Sequence, residues 1–286
     1  MKEEIMKENE IVIADSGVFP ESIDTTVPHV ARVLDYLLGG QANYPADRAV
    51  AKQAFAGWPG EVGGVDGVRV DIRGHRAALI RVVRYLAGEV GIRQFLDIGS
   101  GLPTVDNVHE VALATAPDSR IVYIDRDPIV VAHARYLLGK DTSDRVAYME
   151  GDLHDPRDLL RRAADTLDFA RPVAVVMFGA LHFFDNTEAP DKIVRTFVDA
   201  VPSGSHIAIS HFATDEQDGA MNETFEQMNR QWGESVTRRG HAEVMRFFAG
   251  LDLIEPGVVE LPDWRPDLGA GGPRPLPMWC GVARKP

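Results

Sequence analysis

Apolar positions change their period along the chain. From Pro28 they fall at helical spacing, with Val30, Val33, Leu34, Leu37 and Leu38 on one stripe that Gly39-Gly40 ends as a C-terminal cap. Pro45, suited to a first helical turn, restarts a helix that runs to about Phe55, where Gly57-Trp58-Pro59-Gly60 breaks it. The glycine-rich stretch 61–67 reads as a loop. A longer helix over 71–87 turns Ile72, Leu79, Ile80, Val83 and Leu86 inward. Arg69, Arg73, Arg76, Arg81 and Arg84 add positive charge on a solvated face, from which Arg73 and Arg76, near the helix start, could instead meet an anionic ligand group.

After Gly91, short β-prone runs alternate with helical ones. Strands are expected at 93–98, 120–125, 145–150, 172–178 and 205–211, and helices at 104–115, 128–138, 156–165 and 189–200. Repeated β-α units of this size predict a parallel sheet with helices on both faces, and a ligand site beyond the C-terminal strand ends. The last quarter reads as helices over 218–231 and 239–248, then strands over 253–261 and 278–283 around the Pro- and Gly-rich loop 262–277. Those two strands add an antiparallel edge and make the sheet seven-stranded. Residues 1–24 are charged and aperiodic, the pattern of a mobile tail; 25–90 form a helical cap ahead of a Rossmann-like α/β core over 91–286.

Composition narrows the function classes. Of 286 residues, 43 are acidic and 30 basic, and the net charge of −13 argues against a general nucleic-acid binder. The single Cys280 makes no internal disulfide, and no Cys/His cluster has metal-ligand spacing, which fits a reducing cytoplasm. The charged N-terminus lacks the apolar stretch of a signal peptide, and the longest apolar run, 172–184, falls short of the roughly 20 residues of a membrane helix. A soluble protein is expected, with homo-oligomerisation left open.

The stretch 94–104, Gln-Phe-Leu-Asp-Ile-Gly-Ser-Gly-Leu-Pro-Thr, carries the candidate chemistry as strand, glycine turn and helix start. Gly99 and Gly101 permit a tight turn that brings backbone N–H groups close to a ligand. Asp97, Asp125 and Asp152 mark three successive strand ends, neighbours in a doubly wound sheet. Asp125 lies 24 residues past Gly101, near the interval at which a carboxylate reaches a ribose diol. Each also has a plainer use: Asp125 can cap the turn into the helix started by Asp127-Pro128, and Asp152 the helix after it. A nicotinamide dinucleotide fits poorly, because Thr104 stands where a third glycine is needed and Asp97 would face a pyrophosphate. Beside the ammonium of a methionine moiety Asp97 makes sense, which favours S-adenosylmethionine.

The run Ala31-Arg-Val-Leu-Asp-Tyr-Leu-Leu-Gly-Gly40 with Asn43, the 94–104 stretch followed by Asn107-Val-His-Glu110, and Val122-Tyr-Ile-Asp-Arg-Asp-Pro128 with His133-Ala-Arg135 resemble a family of small actinobacterial-type S-adenosyl methyltransferases, long catalogued as a domain of unknown function. Leu181-His-Phe183, Ser210-His211, Arg246-Phe-Phe-Ala-Gly-Leu251 and Glu255-Pro-Gly257 extend the resemblance over roughly 25–284. It implies a class I S-adenosylmethionine-dependent methyltransferase fold. By position, Asp97, Gly99, Ser100 and Gly101 would hold the methionine part, Asp125 the ribose, and Asp152 with Leu153 the adenine. Pro103 departs from the general glycine pattern. Arg126 and His75 stand where small amide residues are expected, which would alter the adenosine edge or the lid.

The loop after the fourth strand would pass the transferred methyl. Phe178, Phe183 and Phe184 there are either core or site, with Phe178 a cofactor candidate. His182 could take a proton from an oxygen or nitrogen acceptor or merely cap a helix, and His211, at the fifth strand end, has the same two readings. Tyr36, in the cap, is either a site hydroxyl or core. Methyl transfer needs alignment more than acid–base power, so no base is obligatory. The expectation is methylation of an O or N of a small molecule, in secondary metabolism by resemblance alone. Other chemistry at the sulfonium, or cofactor binding without turnover, are the alternatives.

Overall fold

The computed structural model describes residues 24–59, 62–103, 106–138, 144–214, 219–231, 235–267 and 277–286, with the backbone alone at 136–138, 220 and 231. The expected tail, apart from residue 24, and Thr104 lie outside the described residues. Three helices come first: α1 (Val30–Leu38), α2 (Pro45–Ala54) and α3 (Gly64–Arg84), the last continued by a π-helical turn, Tyr85–Val90. Helix α3 begins seven residues before the expected start at 71. The glycines that read as a loop instead make its entry, with Gly63 and Gly64 at φ 60° and 55°.

The turn between α1 and α2 explains the paired glycines of the motif. Gly39 takes the left-handed C-cap conformation, φ 87°. Gly40 serves a different need: a Cβ there would lie 2.0 Å from Asp35 Oδ1. That buried carboxylate is held from its other side by Asn43 Nδ2, 2.8 Å from Oδ2.

The core alternates as expected: β1 (Gln94–Ile98), α4 (Val108–Thr115), β2 (Arg120–Asp125), α5 (Pro128–Leu138), β3 (Val146–Glu150), α6 (Pro156–Ala163), β4 (Ala174–Phe178), α7 (Pro190–Ala200), β5 (His206–Phe212) and α8 (Gly219–Gln231). Helix α4 starts later than 104 because Asn107 and Glu110 form a capping box. Then follow α9 (His241–Met245), β6 (Asp252–Leu253), β7 (Val259–Glu260) and β8 (Met278–Arg284). The sheet runs β3-β2-β1-β4-β5-β8-β6, with β7 also on β8, and has eight strands. The seven-stranded expectation is corrected at one place. The strand expected over 253–261 is cut in two by a turn at Pro256-Gly257, where Gly257 N–H donates to Ile254 O.

Strands β1 to β5 pair in parallel, and β8 is antiparallel to β5, β6 and β7. Alternate strand residues face opposite layers. Leu96, Ile98, Val122, Ile124, Val175 and Met177 pack toward α6 and α7, whereas Phe95, Ile121, Tyr123 and Val176 pack toward α3 and α4. A third cluster joins α1 and α2 to α8 through Val33, Leu37, Phe55, Trp58, Phe225 and Met228. The N-terminal helices thus share a core with a helix inserted after β5. Among the described residues no helix is long and apolar enough to cross a membrane.

Candidate active site

Strand β1 lies between β2 and β4, and the order in which strands are added reverses there, with β2 and β3 on one side and β4 and β5 on the other, so the C-terminal ends of β1, β2 and β4 open a crevice. Helices α1, α3 and α8 roof it. The result is a cavity of about 280 Å³. All nine expected cofactor residues line it: Asp97, Gly99, Ser100, Gly101, Asp125, Arg126, Asp152, Leu153 and Phe178.

The glycine turn folds back onto β2. Gly99 and Ser100 N–H donate to Ile124 O at 2.8 and 3.3 Å, and Gly101 N–H to Asp125 Oδ2 at 2.8 Å. Gly99 and Gly101 have φ of 73° and 65°. A Cβ on Gly99 would sit 3.0 Å from Ala180 Cβ, whereas one on Gly101 would meet nothing within 4 Å. The turn therefore packs closely at one glycine and leaves room for a ligand at the other. Asp125 also accepts from Asp127 N–H, 3.0 Å away, and burial pushes its carboxyl up from the usual range.

Asp97 lies within β1, one residue before its end, and is 4% exposed. Burial raises its carboxyl to about 7, opposed by Arg76 and reinforced by Asp125. Arg76 enters from α3, its Nη2 donating to Asn107 Oδ1 at 3.0 Å while its buried Nε has no partner among the described residues. A buried carboxyl beside an incompletely bonded guanidinium is complementary to an amino-acid zwitterion. With the open glycine turn and the Asp125 carboxylate, these residues fit S-adenosylmethionine. Asp97 would take the ammonium, Arg76 the carboxylate and Asp125 the ribose.

Asp152, expected to meet the adenine, is already engaged: its Oδ1 accepts from His154 N–H at 2.9 Å and lies 2.6 Å from His154 Nδ1. His154 Nε2 in turn meets Glu188 Oε1 at 2.8 Å, and the two carboxylates raise the His154 pKa. The sequence reading missed His154. It also missed His29, whose Nδ1 stands 3.0 Å from Asp127 Oδ2 and ties the start of α1 to the end of β2.

The three catalytic candidates separate. His182 lines the cavity, is 5% exposed, and its ring makes no hydrogen bond among the described residues; burial, with His211, His75 and Arg239 nearby, holds its pKa well below the usual value. His75, from α3, bonds Ser210 Oγ at 2.7 Å and is pushed down by burial to about 4. His211 is buried away from the cavity, its Nδ1 donating to Phe212 O and its Nε2 accepting from Arg239 Nη1, so neither nitrogen is left for an acceptor. Tyr36 packs in the third cluster under the Arg69 guanidinium, 4.8 Å from its ring centre, also outside the cavity lining. Of the three, His182 alone reaches the site.

The opposite lobe holds residues with no sequence signal of a site: Phe55, Trp58, Phe212, Phe225, Met228 and Val236. They come from distant segments, so no local spacing groups them.

Known structures share this fold. A DUF574-family protein from Streptomyces avermitilis MA-4680 is 39% identical, with 92% of this chain and 99% of that one covered and a TM-score of 0.84. A candidate methyltransferase from Thermobifida fusca YX is 37% identical over 96% of this chain and 99% of its own, with a TM-score of 0.83. A search of curated proteins finds no match. The family profile described as S-adenosyl methyltransferase matches residues 16–286, and the chain belongs to that family as an S-adenosylmethionine-dependent methyltransferase.

Proposed function

We propose that the protein methylates an oxygen or nitrogen of a small molecule, with His182 receiving the acceptor's proton. The observation that carries this reading is the His182 ring: cavity-lining, buried, and without a hydrogen-bond partner among the described residues. One ring nitrogen of a neutral imidazole carries a proton and the other a lone pair, and leaving the buried Nδ1 unpaired costs about 1–3 kcal/mol.

When bound, S-adenosylmethionine supplies an electrophilic methyl: the acceptor's lone pair forms the new bond to carbon and the sulfur keeps the old bonding pair. As that bond forms, the acceptor's own proton becomes strongly acidic. A weakly basic imidazole therefore suffices to take it, and the depressed pKa keeps His182 neutral and ready. Asp97, Arg76 and Asp125 hold the donor, while α1, α3 and α8 exclude water as a cap. The cavity's volume of about 280 Å³ supports a small acceptor. The setting in secondary metabolism rests on the family likeness, and the buried Cys280 fits a cytoplasmic one.

The test is product analysis with purified full-length protein, S-adenosylmethionine and a panel of phenols and amines. The expected products are S-adenosylhomocysteine and an O- or N-methylated acceptor. His182→Ala should lower kcat by about 10²–10⁴-fold with donor affinity retained. Methylthioadenosine, or methylation only at carbon, would overturn the proposal.

A further inference from the structure

The lobe beyond His182 is walled by aromatic rings in unbroken succession. Phe55 meets Trp58 edge-on at 5.6 Å, and Trp58 meets Phe225 at 5.9 Å and 56°. Phe225 meets Phe212 at 4.9 Å and 71°, and Phe212 meets His182 at 4.5 Å and 45°. These rings come from the end of α2, the break after it, α8, the end of β5 and the loop after β4, and all line the same cavity. Packing so many large rings usually fills a core; here it leaves space.

The shape and charge of that space are selective. Neighbouring rings inclined by 45° to 80° present faces and edges in alternation, the surroundings in which a flat ring finds stacked and T-shaped partners at once. A saturated ring finds only apolar contact there. Beside these rings, the Asp71 carboxylate accepts the Trp58 indole N–H at 2.6 Å and fixes that ring. Among the described residues no lysine lines the cavity, and its two arginines, Arg76 and Arg126, lie at the donor end. That end also carries Asp97, Asp125, Asp127 and Asp152, whose field disfavours an anion.

We infer that the acceptor is a flat, non-anionic aromatic molecule carrying a hydroxyl or amino group, seated among Trp58, Phe225 and Phe212 with that group directed at His182. The direction of the group rests on the reading of His182 as proton acceptor; the aromatic selectivity rests on the ring geometry.

Full-length protein saturated with S-adenosylhomocysteine would be titrated with 1-naphthol, with fully saturated decahydro-1-naphthol, and with 1-naphthoate, by calorimetry. Naphthol should bind about tenfold tighter than either other probe, and Phe225→Leu should cut its affinity roughly three- to tenfold while leaving that of S-adenosylhomocysteine within about twofold. Equal binding of naphthol and its saturated analogue, or no naphthol binding by protein that holds S-adenosylhomocysteine, would overturn the inference. Selective binding of naphthol without its O-methylation on exchange to S-adenosylmethionine would sink the role of His182 and leave the aromatic selectivity standing.

Discussion

Arg239 Nη1 donates a 2.8 Å hydrogen bond to His211 Nε2, and through this contact His211 becomes part of a scaffold. The same guanidinium, in a residue 2% exposed, bonds Leu181 O, Phe184 O and Asn186 Oδ1. Arg239 therefore clamps both ends of the segment that carries His182. Arg239→Met should destabilise the fold by about 3 kcal/mol and lower kcat more than donor affinity, read by chemical denaturation and steady-state kinetics. Arg239→Lys should rescue little, since a single ammonium cannot span these acceptors.

Donor binding should depend on pH through Asp97. Burial pushes its folded carboxyl up to about 7, well above the usual carboxylate range. Without ligand, this raised pKa favours the fold at low pH, and the contribution fades as pH rises through that window. An ammonium requires the carboxylate, so binding releases the proton below pH 7. Affinity should fall by up to about tenfold per unit as pH drops below 7. Calorimetry with S-adenosylhomocysteine should show this slope in the wild type and its loss in Asp97→Asn.

The assignment of Arg76 to the donor's carboxylate can be isolated by ligand choice. Arg76→Met should weaken S-adenosylhomocysteine binding by about tenfold or more and leave methylthioadenosine, which lacks the amino-acid end, unaffected. Equal losses for both ligands would place Arg76 in the fold instead.

Asp125→Ala removes the carboxylate proposed for the ribose and the acceptor of Gly101 N–H. Donor affinity should drop by about 1.5–3 kcal/mol, roughly ten- to hundredfold. Unchanged affinity in a folded variant would refute the ribose role.

Gly39 and Gly40 should respond differently to alanine. At Gly39 only the left-handed backbone opposes it, at a cost of about 1–2 kcal/mol. At Gly40 the new Cβ collides with the Asp35 carboxylate and must break its bond to Asn43, so Gly40→Ala should lose more stability in a parallel melting experiment.

The β-α alternation and the three acidic strand ends are legible in the sequence because each is written locally, in period and in a residue beside a turn. Helix α3 is misplaced at its start because glycines at 63 and 64 look the same whether they form a loop or enter a helix. The fates of His182 and His211 are not local at all. An arginine 28 residues on decides that His211 is structural, while Phe225, more than forty residues past His182, lines the same cavity. Spacing along one element carries no trace of such meetings.

Helix α3 runs along the whole cavity and shows it Asp71, Ile72, His75, Arg76 and Leu79 from one face. At 1.5 Å per residue, Asp71 and Arg76 stand about 7.5 Å apart along the axis. This single rod touches the aromatic lobe at one level and the proposed amino-acid end of the donor site at the next, and would work as a ruler between them. Because a helix neither stretches nor shortens, an acceptor seated as proposed would be selected by its length, and a molecule whose nucleophile hangs too far from its ring would be turned away even where its chemistry is right.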